Sequence, residues 1–284
     1  MTGVTPAYYR WSAREQLSHY DTVSWTNGTV TKITPHDNNT YFTVETDYCE
    51  PLTARKIVLG TGLKDLIPDT PGLRENWGKG IYWCPWCDGH EHADQALGII
   101  APLEAIPRMV REMATLNTDV VAFVNGTNTP EMQDAAEKDF PRWRTYLDLH
   151  KVSIQNGIIS RIVRLEEAVM GDPSLPTHPE HDLFSVELTE ADGSTKTVER
   201  NAFLTSFKDE LASTVGPDMG VRLEKGRLYA DNANGLITNI PGVYAVGDAN
   251  TDGSTNIPHA LYSGKRAAVY LHGMFPSLIS PGLE

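Results

Sequence analysis

Few cysteines and no long apolar run limit the classes to which this 284-residue chain can belong. The three cysteines, Cys49, Cys84 and Cys87, are too few for a disulfide-stapled secreted domain, so we expect a reducing, cytoplasmic location. No stretch reaches the length of a membrane span, and the first residues show no apolar signal-peptide core, so no membrane partner is expected. A net charge of -13, from 24 basic and 37 acidic residues, predicts no nucleic-acid partner.

The order of the apolar segments predicts an α/β chain, because short apolar runs alternate with helical patterns, as in a parallel sheet. The run at 56–62 is nearly continuous and ends in glycines, which is typical of a strand buried on both faces. Residues 171–182 predict a proline-rich surface loop. The expected elements are helices at 5–20, 103–117, 131–150 and 256–274, and strands at 22–33, 40–47, 55–62, 96–102, 119–126 and 242–248, with a strand-rich segment at 152–207. Asn27-Gly28 and Asp37-Asn38-Asn39 mark turns.

Two cysteines separated by two residues lie in the stretch IYWCPWCDGHEH, residues 81–92. Thiols at this spacing can close a small disulfide loop, and a helix beginning at the pair would raise their thiolate fraction. The alternative is zinc, held by Cys84, Cys87, His90 and His92. However, structural zinc sites usually separate their two ligand pairs by about a dozen residues. We therefore predict a redox pair and no metal site.

Three segments occur in an order that can be compared with known families: ARKIVLGTGLKDLIPDTPG (54–72), CPWCDG (84–89) and IPGVYAVGDAN (240–250). Over about residues 17–274 this order resembles the low-molecular-weight thioredoxin reductases, and most nearly their fungal and bacterial dithiol-oxidase relatives in secondary metabolism. The resemblance implies a two-domain, Rossmann-like α/β fold of the FAD/NAD(P)-binding three-layer ββα type. It implies a discontinuous flavin-binding-type domain at 1–82 and 211–284, and a degenerate NAD(P)-type domain carrying the cysteines at 83–210.

The resemblance also implies roles for the cysteine stretch. Cys87 would face the flavin, Cys84 would exchange with the substrate, and Asp88 would move a proton to or from a thiol. His90 and His92 could assist, although histidines in a loop are more often plain surface residues.

The implied substrate is a small-molecule dithiol, which the enzyme would convert to a disulfide. Trp83 and Trp86 flank the cysteines, and they would either shape a hydrophobic substrate pocket or simply shield the loop. The implied assembly is a homodimer.

The implied flavin contacts lie in the first and third segments. Asp248 would bond a ribityl hydroxyl of FAD, and the N-terminus of the helix after Asn256 would direct its dipole at the flavin pyrimidine. The full cofactor-binding set is predicted to be Gly60, Thr61, Gly62, Gly247, Asp248, Asn256, Ile257, Pro258 and His259.

The sequence departs from the family at both nucleotide motifs. The family opens with a strand, a G-x-G-x-x-G turn and a helix for the FAD pyrophosphate, whereas the G-x-G at 60–62 has Asp65 at the third glycine position. We therefore expect the first βαβ unit of the flavin domain to be missing. Ala101, Pro102 and Leu103 stand where a glycine-rich turn would hold NADPH, so NADPH is not expected.

Two functions remain open at this point. The first is an FAD-dependent dithiol oxidase, and it is our preferred interpretation. The alternative is a flavin-free protein that catalyses a non-redox step, such as isomerisation or cyclisation, or binds a small ligand in the remodelled cavity.

Overall fold

The computed structural model describes residues 6–168 and 180–273, with side chains from residue 8 onward. The strands are β1 (Val30–His36), β2 (Tyr41–Thr46), β3 (Leu52–Ala54), β4 (Ile57–Leu59), β5 (Leu63–Asp65), β6 (Ile81–Tyr82), β7 (Leu97–Ile100), β8 (Val120–Phe123), β9 (Ser153–Gln155), β10 (Ile158–Glu166), β11 (Leu183–Thr189), β12 (Thr195–Arg200), β13 (Ala202–Thr205), β14 (Asp209–Leu211), β15 (Leu223–Glu224), β16 (Arg227–Leu228) and β17 (Val243–Ala245). The α-helices are α1 (Pro6–Ser18), α2 (Pro85–Asp88), α3 (Ile106–Met113), α4 (Pro130–Asp139), α5 (Trp143–Leu149), α6 (Val215–Asp218) and α7 (Ile257–Gly273). Within the described residues, none of these helices has the length and apolar character needed to span a bilayer.

The chain divides into two compact units. Unit 1 contains residues 1–19 and 67–208, and unit 2 contains residues 20–66 and 209–284. The sequence instead predicts an inserted domain at 83–210. The first boundary differs because Ile81 and Tyr82 of β6 pair with β13 in the sheet of unit 1, and Leu73 packs into its core. The assignment of flavin binding to one domain stays a prediction.

Unit 1 is built on a parallel five-stranded sheet with the order β6-β13-β7-β8-β9. All residues of β7, β8 and β13 are buried, as continuous apolar strands require when both faces are covered. Leu97 and Ile99 pack in one core with Val110 of α3. Ile100 packs in a second core with Phe184 of β11, which belongs to the antiparallel sheet β10-β11-β12. The predicted three-layer ββα arrangement is confirmed in this unit.

Gly98 allows the second core of unit 1 to close. A methyl group at this position of β7 would overlap the ring of Phe203, on the neighbouring strand β13. Phe203 in turn meets Phe184 edge to face, with ring centroids 5.5 Å apart. Such edge-to-face pairs are favourable beyond the area they bury. A glycine in the strand therefore fixes how the two sheets pack.

Two elements of unit 1 differ from the sequence prediction. The segment predicted to be helical at 131–150 forms two helices, α4 and α5, because Pro141 follows α4 and Arg142 adopts a left-handed conformation with φ 62°. The predicted surface loop at 171–182 lies outside the described residues up to position 179. Of the remainder, Asp182 is buried and pairs with Arg164, so it is not a surface residue.

Unit 2 contains the antiparallel sheet β1-β2-β3, the parallel pair β4–β17 and the antiparallel pairs β5–β14 and β15–β16. Its core joins Phe42 of β2, Leu59 of β4, Tyr244 of β17 and Ala267 of α7. The predicted final strand and helix are therefore confirmed, and both contribute to one core.

Two strand predictions in unit 2 are wrong in detail. In the segment 22–33, predicted as strand with a turn at Asn27-Gly28, the chain does bend at Gly28, whose φ is 134°, but β1 begins only at Val30 and the residues before the turn form no strand. β4 contains only three residues, and Val58 is 46% exposed. The strand therefore buries one face, whereas its apolar run predicts burial of both.

Candidate redox site

Cys84 and Cys87 form a disulfide at the carboxyl end of β6. The one-turn helix α2 begins directly after Cys84 and brings Cys87 back beside it. The amides of Cys87 and Asp88 both donate to the carbonyl of Cys84, at 3.1 and 3.2 Å. Pro85 occupies the first helical position, where no amide hydrogen is needed. The predicted pairing of the two cysteines is thus present, held by a single closed turn.

Gly89 completes the Cys-x-x-Cys-Asp-Gly stretch for a steric reason. Its amide donates to the carbonyl of Pro85 at 3.0 Å. A methyl group at this position would overlap that carbonyl oxygen and would lie 3.1 Å from Leu116 Cδ1. Any side chain would therefore distort the turn that holds the two sulfurs together.

The two sulfur-bearing residues differ in accessibility. Cys84 is 7% exposed, whereas Cys87 lies at the surface. Thiol–disulfide exchange depends on which sulfur can be reached. A dissolved thiol therefore reaches Cys87 more readily in this conformation. The role in substrate exchange that the resemblance assigns to Cys84 stays a prediction.

Asp88 ends α2 and has an unusual acidity. Its pKa is raised to about 6, first by partial desolvation and then by the negative charges of Glu91 and Glu180. A carboxyl group with such a pKa exchanges its proton close to neutral pH. Such a pKa suits proton transfer beside the disulfide, and the acid–base role that the resemblance implies for Asp88 stays a prediction.

His92 is buried, and its ring stacks on that of Tyr82, with centroids 5.1 Å apart. Its Nδ1 lies 3.3 Å from the carbonyl oxygen of Glu180, and its Nε2 lies 3.9 Å from the carboxylate of Glu180. Burial lowers the pKa of His92, although Glu180 opposes the shift. Both ring nitrogens of His92 thus face Glu180, and these contacts hold the His92 ring in place. His90 is exposed, and its predicted assistance stays untested.

Three residues that the sequence does not single out fix the loop after the disulfide. The side-chain amide of Gln95 donates to the carbonyls of Glu91 and Glu180, at 3.1 and 2.8 Å. The buried amide of Asn117 donates to the carbonyls of His92 and Gln95, at 2.8 and 3.0 Å. The amide of Glu180 donates to the carbonyl of Glu91 at 2.9 Å. Gln95, Asn117 and Glu180 carry no local motif, so no sequence signal identifies them.

The two tryptophans beside the cysteines face water. Trp83 is 49% exposed and Trp86 is 83% exposed. They therefore add apolar surface next to the exposed Cys87. Over the part of the chain that the structure describes, no three His, Cys, Asp or Glu side chains are arranged as a metal site.

The predicted cofactor residues lie in unit 2, around the ends of two parallel strands. Val243–Ala245 of β17 pair with Ile57–Leu59 of β4, and the amide of Val246 donates to the carbonyl of Leu59 at 3.0 Å. The turns at 60–62 and 247–248 therefore leave the same sheet edge, where α/β proteins commonly bind ligands. Gly247 has a φ of 66°, which favours glycine.

The first turn of α7 is fixed by two contacts. Asn256 caps the helix, because the amide of His259 donates to Asn256 Oδ1 at 2.8 Å. His259 Nε2 also lies 2.5 Å from Asp252 Oδ2. Ser263, one turn further on, accepts a hydrogen bond from the amide of Gly247 at 2.9 Å. Asp252 and Ser263 are supporting residues that the sequence does not predict.

Two buried polar atoms of the predicted cofactor set, Thr61 Oγ1 and His259 Nδ1, have no hydrogen-bond partner among the described residues. Buried polar groups are normally paired, so each fits a polar atom of a bound molecule. Burial also raises the pKa of Asp248, although the charges of His259 and Arg227 oppose the shift. These groups fit the flavin end of FAD. A strand, glycine-rich turn and helix for its pyrophosphate do not occur within 6–168 and 180–273.

Comparison with known proteins identifies the family. No protein-family profile matches the chain. The chain is 44% identical over 279 residues to "Probable thioredoxin reductase" of Arthroderma benhamiae, covering 95% of this chain and 67% of that protein. It is 29% identical over 153 residues to thioredoxin reductase aclD of Aspergillus oryzae, covering 49% of this chain and 47% of that protein. The chain belongs to the thioredoxin-reductase-like family.

A solved structure supports the fold of this thioredoxin-reductase-like chain. The thioredoxin reductase of Streptococcus pyogenes MGAS5005 superposes with a TM-score of 0.70 at 18% identity, covering 95% of this chain and 80% of that one. The predicted two-domain α/β fold is confirmed. By family, the chain is an oxidoreductase that acts on sulfur groups.

The thioredoxin-reductase-like chain thus carries its predicted site residues in two groups. The cysteine stretch and its tryptophans belong to unit 1, and the cofactor set belongs to unit 2. The catalytic, pocket-forming and cofactor-binding roles of these residues stay predictions.

The acidity of Asp88 gives a pH-dependent prediction. Between pH 3.8, the ordinary pKa of aspartate, and about 6, the folded protein keeps a proton on Asp88 that the unfolded chain has lost. This contribution to stability is therefore present at low pH and is lost as the pH rises through about 6. Above that pH, we expect Asp88→Asn to melt at a higher temperature than the parent protein.

Thermal unfolding at several pH values, followed by circular dichroism, measures this difference. The contrasting variant is Asp192→Asn, because hydrogen bonds from Ser194 lower the pKa of Asp192 in the folded state. Removal of the Asp192 carboxylate should therefore destabilise the protein at neutral pH. A melting difference between Asp88→Asn and the parent that does not change with pH would contradict the prediction.

Proposed function

We propose that the chain oxidises a small-molecule dithiol through the Cys84–Cys87 pair, with FAD as the electron acceptor, during the biosynthesis of a sulfur-containing secondary metabolite. The observation that carries the proposal is the disulfide itself, which has Cys87 at the surface and Asp88 next to it. The family supports redox chemistry on sulfur.

The protein groups would carry the first half of the reaction in two exchange steps. One substrate thiolate attacks a sulfur of the disulfide, which forms a mixed disulfide and releases the other cysteine as a thiolate. The second substrate thiolate then attacks the mixed disulfide, so the substrate leaves as a disulfide and the protein retains two reduced cysteines. Two electrons pass from substrate to protein. Asp88 can accept and return a thiol proton, because its pKa of about 6 lies near neutrality.

Unit 2 offers groups that would hold the flavin end of FAD. We assign Asp248, Thr61 Oγ1 and His259 Nδ1 to contacts with its polar atoms, because the last two are buried without a partner among the described residues. When bound, FAD would supply a two-electron acceptor for the reduced cysteines. The turn at Ala101, Pro102 and Leu103 is not glycine-rich, and the proposal therefore includes no NADPH.

The absorption spectrum of the purified chain tests the flavin part of this proposal. We expect flavin bands in the near-ultraviolet and the blue, either as purified or after incubation with FAD and gel filtration. Asp248→Ala should lose most of the bound flavin, whereas Asp192→Ala, in an exposed turn of unit 1, should retain it. A colourless protein after reconstitution would overturn FAD binding and would favour the flavin-free alternative.

A further inference from the structure

The first turn of α7 carries a histidine whose ring is held by a carboxylate. His259 Nε2 lies 2.5 Å from Asp252 Oδ2, and the two side chains are 9% and 17% exposed. Asn256 already caps α7, because its Oδ1 accepts from the amide of His259 at 2.8 Å. The contact with Asp252 therefore acts on the imidazole ring and not on the end of the helix.

A backbone contact fixes which oxygen of Asp252 faces the ring. Asp252 Oδ1 accepts a hydrogen bond from the amide of Ser254 at 3.2 Å, which leaves Oδ2 for His259. The amide of Asp252 donates to Oδ1 of the buried Asn250 at 3.1 Å, so the loop is held on both sides of the carboxylate. An ionised carboxylate only accepts hydrogen bonds, so Oδ2 favours the form of the ring that carries its hydrogen on Nε2.

The other ring nitrogen is an acceptor without a protein donor. In the neutral imidazole only one nitrogen carries hydrogen, and Asp252 binds that hydrogen at Nε2. His259 Nδ1 then presents a lone pair, and it is buried with no hydrogen-bond partner among the described residues. Because buried polar atoms are normally paired, this lone pair suits an N–H or O–H group of a bound molecule.

The unpaired nitrogen belongs to the sheet edge that carries the predicted cofactor set. The amide of Gly247 donates to Ser263 Oγ of α7 at 2.9 Å. A methyl group on Gly247 would lie 3.9 Å from Cβ of Ala260, the residue that follows His259. The turn at 247–248 is therefore fixed against the first turns of α7, and a ligand held by that turn has His259 as a neighbour.

We propose that Asp252 is a positioning residue that fixes the tautomer of His259, so that Nδ1 accepts a hydrogen bond from the N3–H group of a flavin. The ligand part of this inference rests on the proposed function, whereas the tautomer part does not. The oxidised isoalloxazine ring has a single N–H donor, at N3, and its other polar ring atoms are acceptors. Hydroxyl groups of the ribityl chain can donate or accept, so N3–H is the group that a fixed acceptor recognises.

The tautomer can be measured on the full chain without any cofactor, from long-range proton–nitrogen correlation spectra of the histidine rings at mildly alkaline pH. His259→Phe identifies the signals of His259 among the nine histidines. We expect the parent protein to carry hydrogen on Nε2 and none on Nδ1. In Asp252→Asn, the amide of Ser254 retains the side-chain oxygen, so the new amino group faces the ring and the hydrogen should move to Nδ1.

The matched control for this change is Asp47→Asn. Asp47 is an exposed residue of unit 2 whose Oδ1 likewise accepts from a backbone amide, that of Thr29 at 2.7 Å. The control makes the same exchange of a carboxylate for an amide away from α7. It should therefore leave the His259 signals of the parent unchanged.

Fluorescence titration of the full chain, freed of any bound flavin, tests the ligand part. The probes are FAD and FAD methylated at N3, which lacks the N–H donor. In Asp252→Asn, two donors would meet at N3, so the preference of the parent for FAD over the methylated probe should fall by about tenfold. His259→Phe should lower the same preference, which keeps the test decisive if Asp252→Asn does not fold. Comparison between variants removes the effect of the added methyl bulk.

The possible failures are distinguishable. If FAD binds and its preference over the methylated probe is equal in the parent, Asp252→Asn and His259→Phe, the N3–H assignment is overturned and FAD binding stands. Hydrogen on Nδ1 of the parent, alone or together with Nε2, would overturn the role of Asp252. If neither flavin binds the parent, the FAD part of the proposed function is overturned together with the N3–H assignment, and the spectra still decide the tautomer.

Discussion

Replacement of both Cys84 and Cys87 by serine should slow the oxidation of dithiothreitol by the purified protein by about a thousandfold or more, because no other disulfide is found in the described residues. The parent protein, in its oxidised form, should convert one equivalent of dithiol per chain even without an electron acceptor. The measurement is the amount of cyclic dithiothreitol disulfide formed in a single turnover under nitrogen.

The control for this loss is Cys49→Ser, which removes the third cysteine and keeps the pair. Cys49 is a free thiol in unit 2, and its Sγ lies 3.3 Å from Thr46 Oγ1. A parent-like yield from Cys49→Ser and no yield from the double variant assigns the oxidising equivalent to Cys84–Cys87. If the double variant still oxidised one equivalent, the thiol mechanism would be wrong.

The single variants Cys84→Ser and Cys87→Ser connect this result to the burial of the two cysteines. Cys84 is 7% exposed and Cys87 lies at the surface, so the thiol that remains in Cys84→Ser should react with a maleimide faster than the one in Cys87→Ser. The reverse order would agree with the exchange role that the resemblance assigns to Cys84.

The elements of unit 1 follow from sequence patterns because each of them is set by neighbouring residues. The run 97–100 is apolar at each position, and β7 is buried on both faces. The pattern of α3 places Ile106, Met109, Val110 and Met113 in the core. The same reasoning fails for β4, because burial of Val58 depends on what covers that face of the sheet, which local sequence does not specify.

The sequence predicts the neighbours of the disulfide only where they lie on the same helical turn. Both cysteines, Asp88 and Gly89 lie on or next to α2, so their spacing alone brings them together. Glu180 joins the site through bonds to Glu91 and Gln95, residues nearly a third of the chain away, and periodicity carries no trace of such contacts. The same limit hides the pairing of Asp182 with Arg164, which makes the predicted surface position wrong for that residue.

The cofactor set of unit 2 depends on the family resemblance more than on pattern. The parallel register of β4 and β17 places the two predicted turns side by side. However, the contacts of Asp252 with His259, and of Ser263 with Gly247, come from side chains that have no motif of their own. The resemblance therefore indicates where a ligand would lie, and the structure identifies what holds that region in place.

A large loss of stability is expected when the buried ion pair between Asp182 and Arg164 is broken. Asp182→Ala should lower the free energy of unfolding by about 3–5 kcal/mol, because it leaves the largely buried Arg164 cation with only the exposed carboxylate of Glu167, 3.7 Å away. The side chain of Asp182 is 0% exposed, and its Oδ1 lies 2.5 Å from Arg164 Nη2 and accepts from the amide of Ala168 at 2.8 Å. Denaturant unfolding, followed by circular dichroism, measures the loss.

The matched control for Asp182→Ala is Glu187→Ala, which breaks an exposed pair in the same antiparallel sheet. Glu187 lies 2.5 Å from Arg161, with side chains 36% and 55% exposed, so its removal should cost about 1 kcal/mol or less. Equal effects of the two variants would contradict the argument from burial.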